Sequence, residues 1–313
     1  MILVLGACGP APDAPKERVI IPPGATVHSI ADTLAAHGII SSQRWFRTLA
    51  RLGRYDRRLQ SGPYELLRGQ GARGALRALT SGGALLTRFT VPEGYTLREV
   101  AQVAESTLKI SRDEFLALTR DTALLREFAV PAPSFEGFLE PETYLFAEGV
   151  GAETVLRTMA GAARAEWDSS FASRAAQQGL DRLTTTILAS LVEGEARVEH
   201  DRPLVAAVYL NRLRIGMPLQ ADPTVQYAIE QATGRRKTRL YEKDYGIVSP
   251  YNTYLKSGLP PGPVGAPGRR SLEAVLTAPS VPFLYFVAGP EGAHVFTRTY
   301  GEHLRAIRRI RQQ

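Results

Sequence analysis

The chain has one cysteine in 313 residues, Cys8. An intramolecular disulfide is therefore excluded, and thiol catalysis has no nucleophile beyond residue 8. Lysine is nearly as scarce: only Lys16, Lys109, Lys237, Lys243 and Lys256 among 38 basic residues, so the formal net charge of +7 is carried by arginine. That charge is either a solvated surface or an attraction to an anionic one, such as phospholipid or a phosphate-bearing polymer. The apolar run at the start, MILVLGA, is too short for the ~20 residues that span a bilayer. No HExxH, CxxC or closely spaced histidine pair occurs, and His200, Asp222 and His294 are too scattered along the sequence to signal a metal. No serine sits in GxSxG, and GQGARG at 69–74 follows no clear strand and lacks the Lys-Ser/Thr ending of a phosphate loop. No cofactor is implied. The chemistry is left to carboxylates.

What is present is ordinary globular composition, 44% hydrophobic and 22% charged, in a chain long enough for two or three domains. Residues 1–16 read as an anchor or signal remnant followed by a Pro/Ala-rich linker. Leu5-Gly6-Ala7-Cys8 resembles the lipobox of bacterial lipoproteins, but no basic segment precedes it, so either Cys8 is lipidated or the anchor lies upstream. Both readings favour export.

The stretches IIPPGATVHSIA (20–31) and TVPEGYTLREVA (90–101) repeat one unit: a strand end, a Pro/Gly turn, a Thr N-cap and an amphipathic helix. In the second unit Glu99 completes a capping box with Thr96. Ser42 caps a further helix ended by Gly53, SGPYELLRG reads as a strand with a turn at Gly62-Pro63, and GARGALRALTSGG as a helix. Residues 17–86 thus form a small α/β domain. The remainder, residues 88–313, mixes helical and strand-like stretches. It is expected to hold two helical stretches over 97–129, the second capped by Ser111, a long helix over about 152–178, another over about 183–198, and a helix over 202–213. Residues from 218 onward are unlike helix until the strand-like PFLYFVAG and HVFTRT. The long loop SPYNTYLKSGLPPGPVGAPG is expected to be functional, as long ordered loops usually are.

In LASLVEGEARVEH (188–200) two glutamates stand one glycine apart. At ~100° per residue, Glu195 falls between Leu191 and Leu188 on the apolar arc, and Glu193 falls toward the wetter edge. A desolvated carboxyl holds its proton near neutral pH and becomes a candidate general acid. The competing reading is an ion pair from Glu195 to Arg197 or Arg212.

Several motifs together, LASLVEGEA, VYLNRLRIGMPLQADPTVQYA, YNTYLKSGLPPGPVGAPG, PFLYFVAGPEGAHVF, VPEGYTL and FEGFLEPETY, resemble the MltG-type, YceG-like endolytic murein transglycosylases of bacteria. The resemblance implies an α+β fold in which a small LysM-like domain (17–86) precedes the catalytic domain (88–313). It implies a chain tethered to the cytoplasmic membrane and facing the wall, a lyase that cuts nascent peptidoglycan glycan strands and leaves 1,6-anhydro-muramic ends, and peptidoglycan synthases as partners. The residue matching the family's catalytic glutamate is Glu195, the one singled out by periodicity. From chemistry and loop placement, Glu193, Gln220, Asp222, Asn252 and Tyr254 are candidates to hold the sugar's polar groups, and Tyr251 to stack on a ring. The chain departs from the family in its short apolar start, in Glu140 where an aromatic is usual, in Glu142 where Asp is usual, and in Gly194 where Lys is common. The alternative from another class is a non-catalytic peptidoglycan-binding module serving a synthase. Nucleic-acid binding through Arg305, Arg308, Arg309 and Arg311 rests on one basic helix without aromatic partners, and export contradicts it.

Overall fold

The computed structural model describes residues 14–22, 24–55, 58–80 and 86–312. Cys8 and the lipobox-like stretch lie outside the described residues. No helix among the described residues is long and apolar enough to cross a membrane. Among the described residues the architecture is mixed α+β, with three two-stranded sheets among the helices of two compact units. The first unit runs through Phe89 and takes in Thr107–Lys109 and Tyr144–Gly151, and the second takes the rest, so the division does not follow one cut in the sequence.

In the first unit, β1 (Lys16–Ile21) pairs antiparallel with β2 (Gly62–Leu67), Val19 opposite Tyr64. Gly62 and Pro63 therefore lie inside a strand, opposite Ile21 and Ile20, and do not form the expected turn. Helix α1 (Val27–Ala36) is capped by Thr26, whose side chain accepts from the Ser29 N–H. Ser42 does the same for α2 (Gln43–Leu52) through Trp45 N–H. With α3 (Gly71–Thr80) these helices enclose a core of Val19, Ile21, Ile30, Leu34, Ile39, Phe46, Tyr64 and Leu79. Strand β3 (Leu86–Thr90) is followed much later by its partner β4 (Thr143–Ala147).

The region expected to hold two helices holds three: α4 (Leu97–Leu108), α5 (Arg112–Leu118) and α6 (Thr122–Glu127). The Thr96–Glu99 capping box forms, with Thr96 N–H donating to Glu99 at 2.8 Å and Glu99 N–H to Thr96 Oγ1 at 3.3 Å. Ser111 makes no side-chain cap bond, whereas Asp121 caps α6. The expected long helix is broken into α7 (Ala152–Glu166) and α8 (Ser169–Gln177), because the Asp168 carboxylate accepts the Phe171 N–H and starts a new helix.

Helix α9 (Arg182–Glu195) is central. Every residue from Thr185 to Val192 is buried, so it has no solvent face in that stretch. It packs with α10 (Arg202–Arg214), α11 (Asp222–Thr233) and α12 (Arg269–Leu276). The shared core includes Leu188, Leu191, Val192, Val205, Tyr209, Leu219, Val264 and Val275. Helix α11 was not expected: Pro223 sits in its first turn, where the missing N–H costs nothing. The chain closes with an antiparallel hairpin, β5 (Tyr285–Ala288) with β6 (His294–Thr297), and α13 (Tyr300–Arg311).

The Pro/Gly loop is a buried structural element. Gly94 N–H donates to Ala266 O at 2.7 Å and Ala266 N–H to Tyr95 O at 2.8 Å. A Cβ on Gly265 would meet Gly94 O at 2.5 Å, so only glycine permits this approach. Val264 N–H donates to Ser190 Oγ on α9 at 3.1 Å. The loop thereby braces the helix that carries the two glutamates.

Candidate active site

Glu195 is the last residue of α9; Ala196 is already extended, and Val198 leads into a short 3-10 turn. The helix expected to run to about 198 therefore stops at 195, and since every residue from Thr185 to Val192 is buried, an apolar arc does not distinguish one side of that stretch. What sets Glu195 apart is its position where α9 runs into a cleft. That cleft, about 370 Å³, is lined by Glu195, Arg212, Gln220, Asp222, Tyr254, Phe286, Val287, Ala288, His294 and His303.

Two groups hold one oxygen of Glu195. Tyr209 Oη, fully buried on α10, donates to Oε1 at 3.3 Å, and the Asp222 N–H at the start of α11 donates to the same atom at 3.1 Å. The second bond exists because α11 comes very close to α9. A Cβ at position 194 would lie 2.8 Å from Pro223 Cβ, so Gly194 is what lets Asp222 reach the carboxyl. The helix-weakening cost of that glycine, ~1 kcal/mol, secures the site's geometry.

Burial pushes the Glu195 carboxyl up to about 7, and the Asp222 carboxylate pushes the same way. The two hydrogen bonds and the Arg212 charge pull it back only partly. Arg212 does not form the alternative ion pair. Its Nε donates to Leu284 O at 2.7 Å and its Nη1 to Leu219 O at 2.6 Å, which leaves it tying α10 to the chain before β5. A group balanced near neutrality can both give and recover a proton at physiological pH.

Glu193 serves another purpose. Its side chain is only 7% exposed, so the expected wet edge is absent. One oxygen pairs with Arg202 Nη1 at 3.0 Å; the other accepts Ser271 Oγ at 2.8 Å and the Gly268 N–H at 3.1 Å. Both oxygens are occupied in tying α9, α10 and α12 together.

The other expected site residues divide. Gln220 and Tyr254 do line the cleft with Asp222. Tyr254 Oη donates to Asp222 Oδ1 at 2.6 Å, and Tyr245 Oη to Oδ2 at 3.4 Å, while the two tyrosine rings pack 4.6 Å apart. Gln220 holds a left-handed backbone, φ 50°, pinned by its N–H to Thr253 O at 3.1 Å. Such strain in a non-glycine residue persists only where the surroundings enforce it, and here it turns the exposed side chain to the cleft. Asn252 does not line the cleft. It is fully buried, donates to Tyr245 O and Ile247 O at 2.9 Å each, and accepts the Tyr254 N–H at 2.9 Å, so its amide is spent on shaping the loop. Tyr251 packs on Tyr227 at 4.7 Å, away from the cleft. The sequence showed the loop's aromatic and amide content but not which atoms the backbone would consume.

Sequence reasoning missed Tyr209, Phe286 and His303, and set His294 aside. Tyr209 had one signal: an aromatic in the otherwise small and aliphatic RPLVAAVYL. The hairpin residues had none, because their approach to Glu195 is long-range.

An endolytic murein transglycosylase of Bacillus subtilis is 32% identical over 92% of this chain and 83% of its own length. One from Streptococcus pneumoniae is 30% identical over 92% of this chain and 57% of its own. A YceG-like protein of Listeria monocytogenes has a solved structure that aligns at a TM-score of 0.64 and 28% identity, covering 94% of this chain and 99% of that one. Residues 19–309 match the YceG-like family, and the chain belongs to it.

Proposed function

We propose that the protein is an endolytic lytic transglycosylase of peptidoglycan in which Glu195 is the acid and base. The coarser part, a murein-cleaving lyase, is supported by the activity named for its relatives. The finer part is carried by one observation: a carboxyl pushed up to about 7 by burial, at the mouth of a cleft, with one oxygen held and the other unbonded.

Protonated Glu195 delivers its proton to the oxygen bridging muramic acid and glucosamine. Positive charge develops at C1, and the C6 hydroxyl of the same muramyl residue attacks it. The C1–O4 bond breaks, an O6–C1 bond forms, and the hydroxyl's proton restores Glu195 by the end of the cycle. No water is consumed, and no second carboxylate is needed. Asp222, through its effect on Glu195, and Gln220, as a cleft donor, position the sugar, while Tyr254, whose hydroxyl proton goes to Asp222, can accept from it. The first unit holds glycan as a LysM-like module, and the chain works at the outer face of the cytoplasmic membrane beside a synthase.

Mass spectrometry of fragments released from purified glycan strands tests the reaction. Anhydro-muramic ends are expected. Reducing ends alone would make the protein a hydrolase, and strands bound without cleavage would make it a binding module. Fractionation of the native protein tests the location: recovery in the cytoplasmic soluble fraction would overturn it.

A further inference from the structure

The second unit holds another concave site that the reaction leaves unused. A pocket of about 260 Å³ lies where α4, α5 and the end of α11 meet, lined by Arg98, Arg112, Arg235 and Arg236 together with two acids, Glu99 and Glu230. Gly234 shapes its last side. In a left-handed backbone, φ 75°, it ends α11 with its N–H on Glu230 O at 2.8 Å, and Arg235 and Arg236 follow from that turn into the pocket wall.

Two of the four arginines are engaged. Arg112 Nε pairs with Glu105 at 2.6 Å, and Arg236 Nη1 lies 3.6 Å from Glu99 and donates to Val264 O at 3.5 Å. Arg98 and Arg235 are exposed, and among the described residues their guanidinium groups make no hydrogen bond or ion pair. They are free to take an incoming carboxylate, whose two oxygens match the guanidinium fork.

The acids decide what kind of anion fits. Glu230 is 2% exposed; its Oε1 accepts the Thr96 hydroxyl at 2.9 Å, while its Oε2 is buried without a partner. A buried polar atom left unpaired costs stability and calls for a reason. Burial pushes this carboxyl up, and the Thr96 bond, Arg236 and Arg98 pull it back only in part, so its charged form is short of positive neighbours. A bare inorganic anion would meet four arginines but also two repelling acids. The charges instead match a ligand with several carboxylates and an ammonium group among them.

We propose that this pocket binds a short acidic peptide bearing a free ammonium, the class of the peptide stems on murein, with Arg98 and Arg235 on its carboxylates and Glu99 and Glu230 as counter-charges for its ammonium; this deepens the transglycosylase reading above and rests on it for the source of the peptide. Distance along α11 agrees. Asp222, whose N–H holds the Glu195 carboxyl, and Glu230 stand eight residues apart on that helix, which is ~12 Å of axis at ~1.5 Å per residue. Four residues of extended peptide span up to ~14 Å.

The test is calorimetry on the full-length protein with three probes: N-acetyl-L-Ala-D-isoglutamate-diaminopimelate-D-Ala, whose one free amine is on the diamino acid, the same peptide with that amine acetylated, and inorganic phosphate. The free-amine peptide should bind. Acetylating its amine, or substituting Arg98→Ala and Arg235→Ala together, should weaken it about tenfold or more, as expected for lost charge-assisted contacts. Glu230→Gln should weaken the free-amine peptide and leave the acetylated one unchanged, since only the ammonium answers to that carboxyl. Circular dichroism checks the fold of each variant, and the two exposed arginines keep the test open if the buried Glu230→Gln does not fold. No binding of the free-amine peptide, equal binding of the two peptides, or phosphate binding as tight as the peptide would overturn the proposal. Cleavage separates the two readings: strands bearing their stems should be cut at lower KM than strands stripped of them, and the double arginine variant should lose that difference. A wild type that binds the peptide but forms no anhydro ends sinks the transglycosylase reading alone. One that forms them equally on both strands, without binding the peptide, sinks this proposal alone.

Discussion

Two glutamates in the second unit are built alike and end differently. Glu195 accepts a tyrosine hydroxyl (Tyr209) and the N–H that opens α11; Glu136 accepts a tyrosine hydroxyl (Tyr227, 3.1 Å) and the N–H that opens α4 (Leu97, 3.1 Å). Burial raises both, to about 7 and about 8. Both line cavities. What differs is the distribution of bonds. At Glu136 the tyrosine holds Oε2 and the amide holds Oε1, and the residue is 5% exposed. At Glu195 both bonds fall on one oxygen. A raised acid is thus not by itself a reactive one; an unbonded oxygen opening into a cleft is the further requirement.

The sharpest way to break this comparison is to neutralise each acid in turn. Glu195→Gln should lower turnover by the ~10² to 10⁴ of lost general acid catalysis, and Glu136→Gln by less than about tenfold. A folded Glu136→Gln that is inert would reverse the assignment. Glu136→Gln should show itself in stability instead. Because burial raises the folded-state value from 4.5 to about 8, the native state binds the extra proton across that window. Its stabilising effect is complete below pH ~4.5 and is lost as pH rises toward ~8. Between pH 5 and 8 the melting temperature of the wild type should therefore fall more than that of Glu136→Gln; parallel slopes would show that Glu136 does not titrate in that window.

Glu193 sharpens the comparison from the other side, as an acid with no free oxygen at all. Glu193→Gln keeps the Ser271 and Gly268 bonds feasible but leaves the Arg202 charge without its counter-charge in a nearly sealed setting. A stability loss of roughly 1–3 kcal/mol is expected, read as a lower denaturation midpoint, with turnover per folded molecule reduced far less than in Glu195→Gln. Full stability combined with dead catalysis would show that Glu193 works on substrate.

How much of this was legible follows from what is local. Thr26, Ser42 and Thr96 were readable as caps because a cap is decided within four residues. The Pro/Gly loop was recognisable as ordered, but not as a brace for α9, since its bonds to Gly94, Tyr95 and Ser190 span most of the second unit. Helix α11 was missed because Pro223 and the flanking loop signals outweighed the apolar pattern of VQYAI. Glu195 was reached through family motifs and a periodicity whose premise the helix ending at 195 removes. Gly194 read as a defect until Pro223 was seen against it. Asn252 and Tyr251 were named from side-chain type, and side-chain type does not say which polar atoms the backbone will consume.

The finest test concerns the charge behind the acid. Asp222 raises Glu195, and its own carboxylate is held by Tyr254 at 2.6 Å and more weakly by Tyr245 at 3.4 Å. Tyr254→Phe removes the stronger donor at a cost of ~0.5–1.5 kcal/mol for a typical hydrogen bond. The negative charge on Asp222 is then less spread into its neighbours and acts more strongly on Glu195, so the protonated form of Glu195 persists to higher pH. Since the protonated form is the active acid, wild-type turnover should decline as pH rises through about 7, and in Tyr254→Phe this decline should move to slightly higher pH, with less than a tenfold fall in maximal rate. Product formation measured from pH 5 to 9 for both proteins checks it. A shift to lower pH would mean that Tyr254 acts on Glu195 by some route other than Asp222, and an unshifted profile with weaker substrate binding would leave Tyr254 as a sugar contact alone.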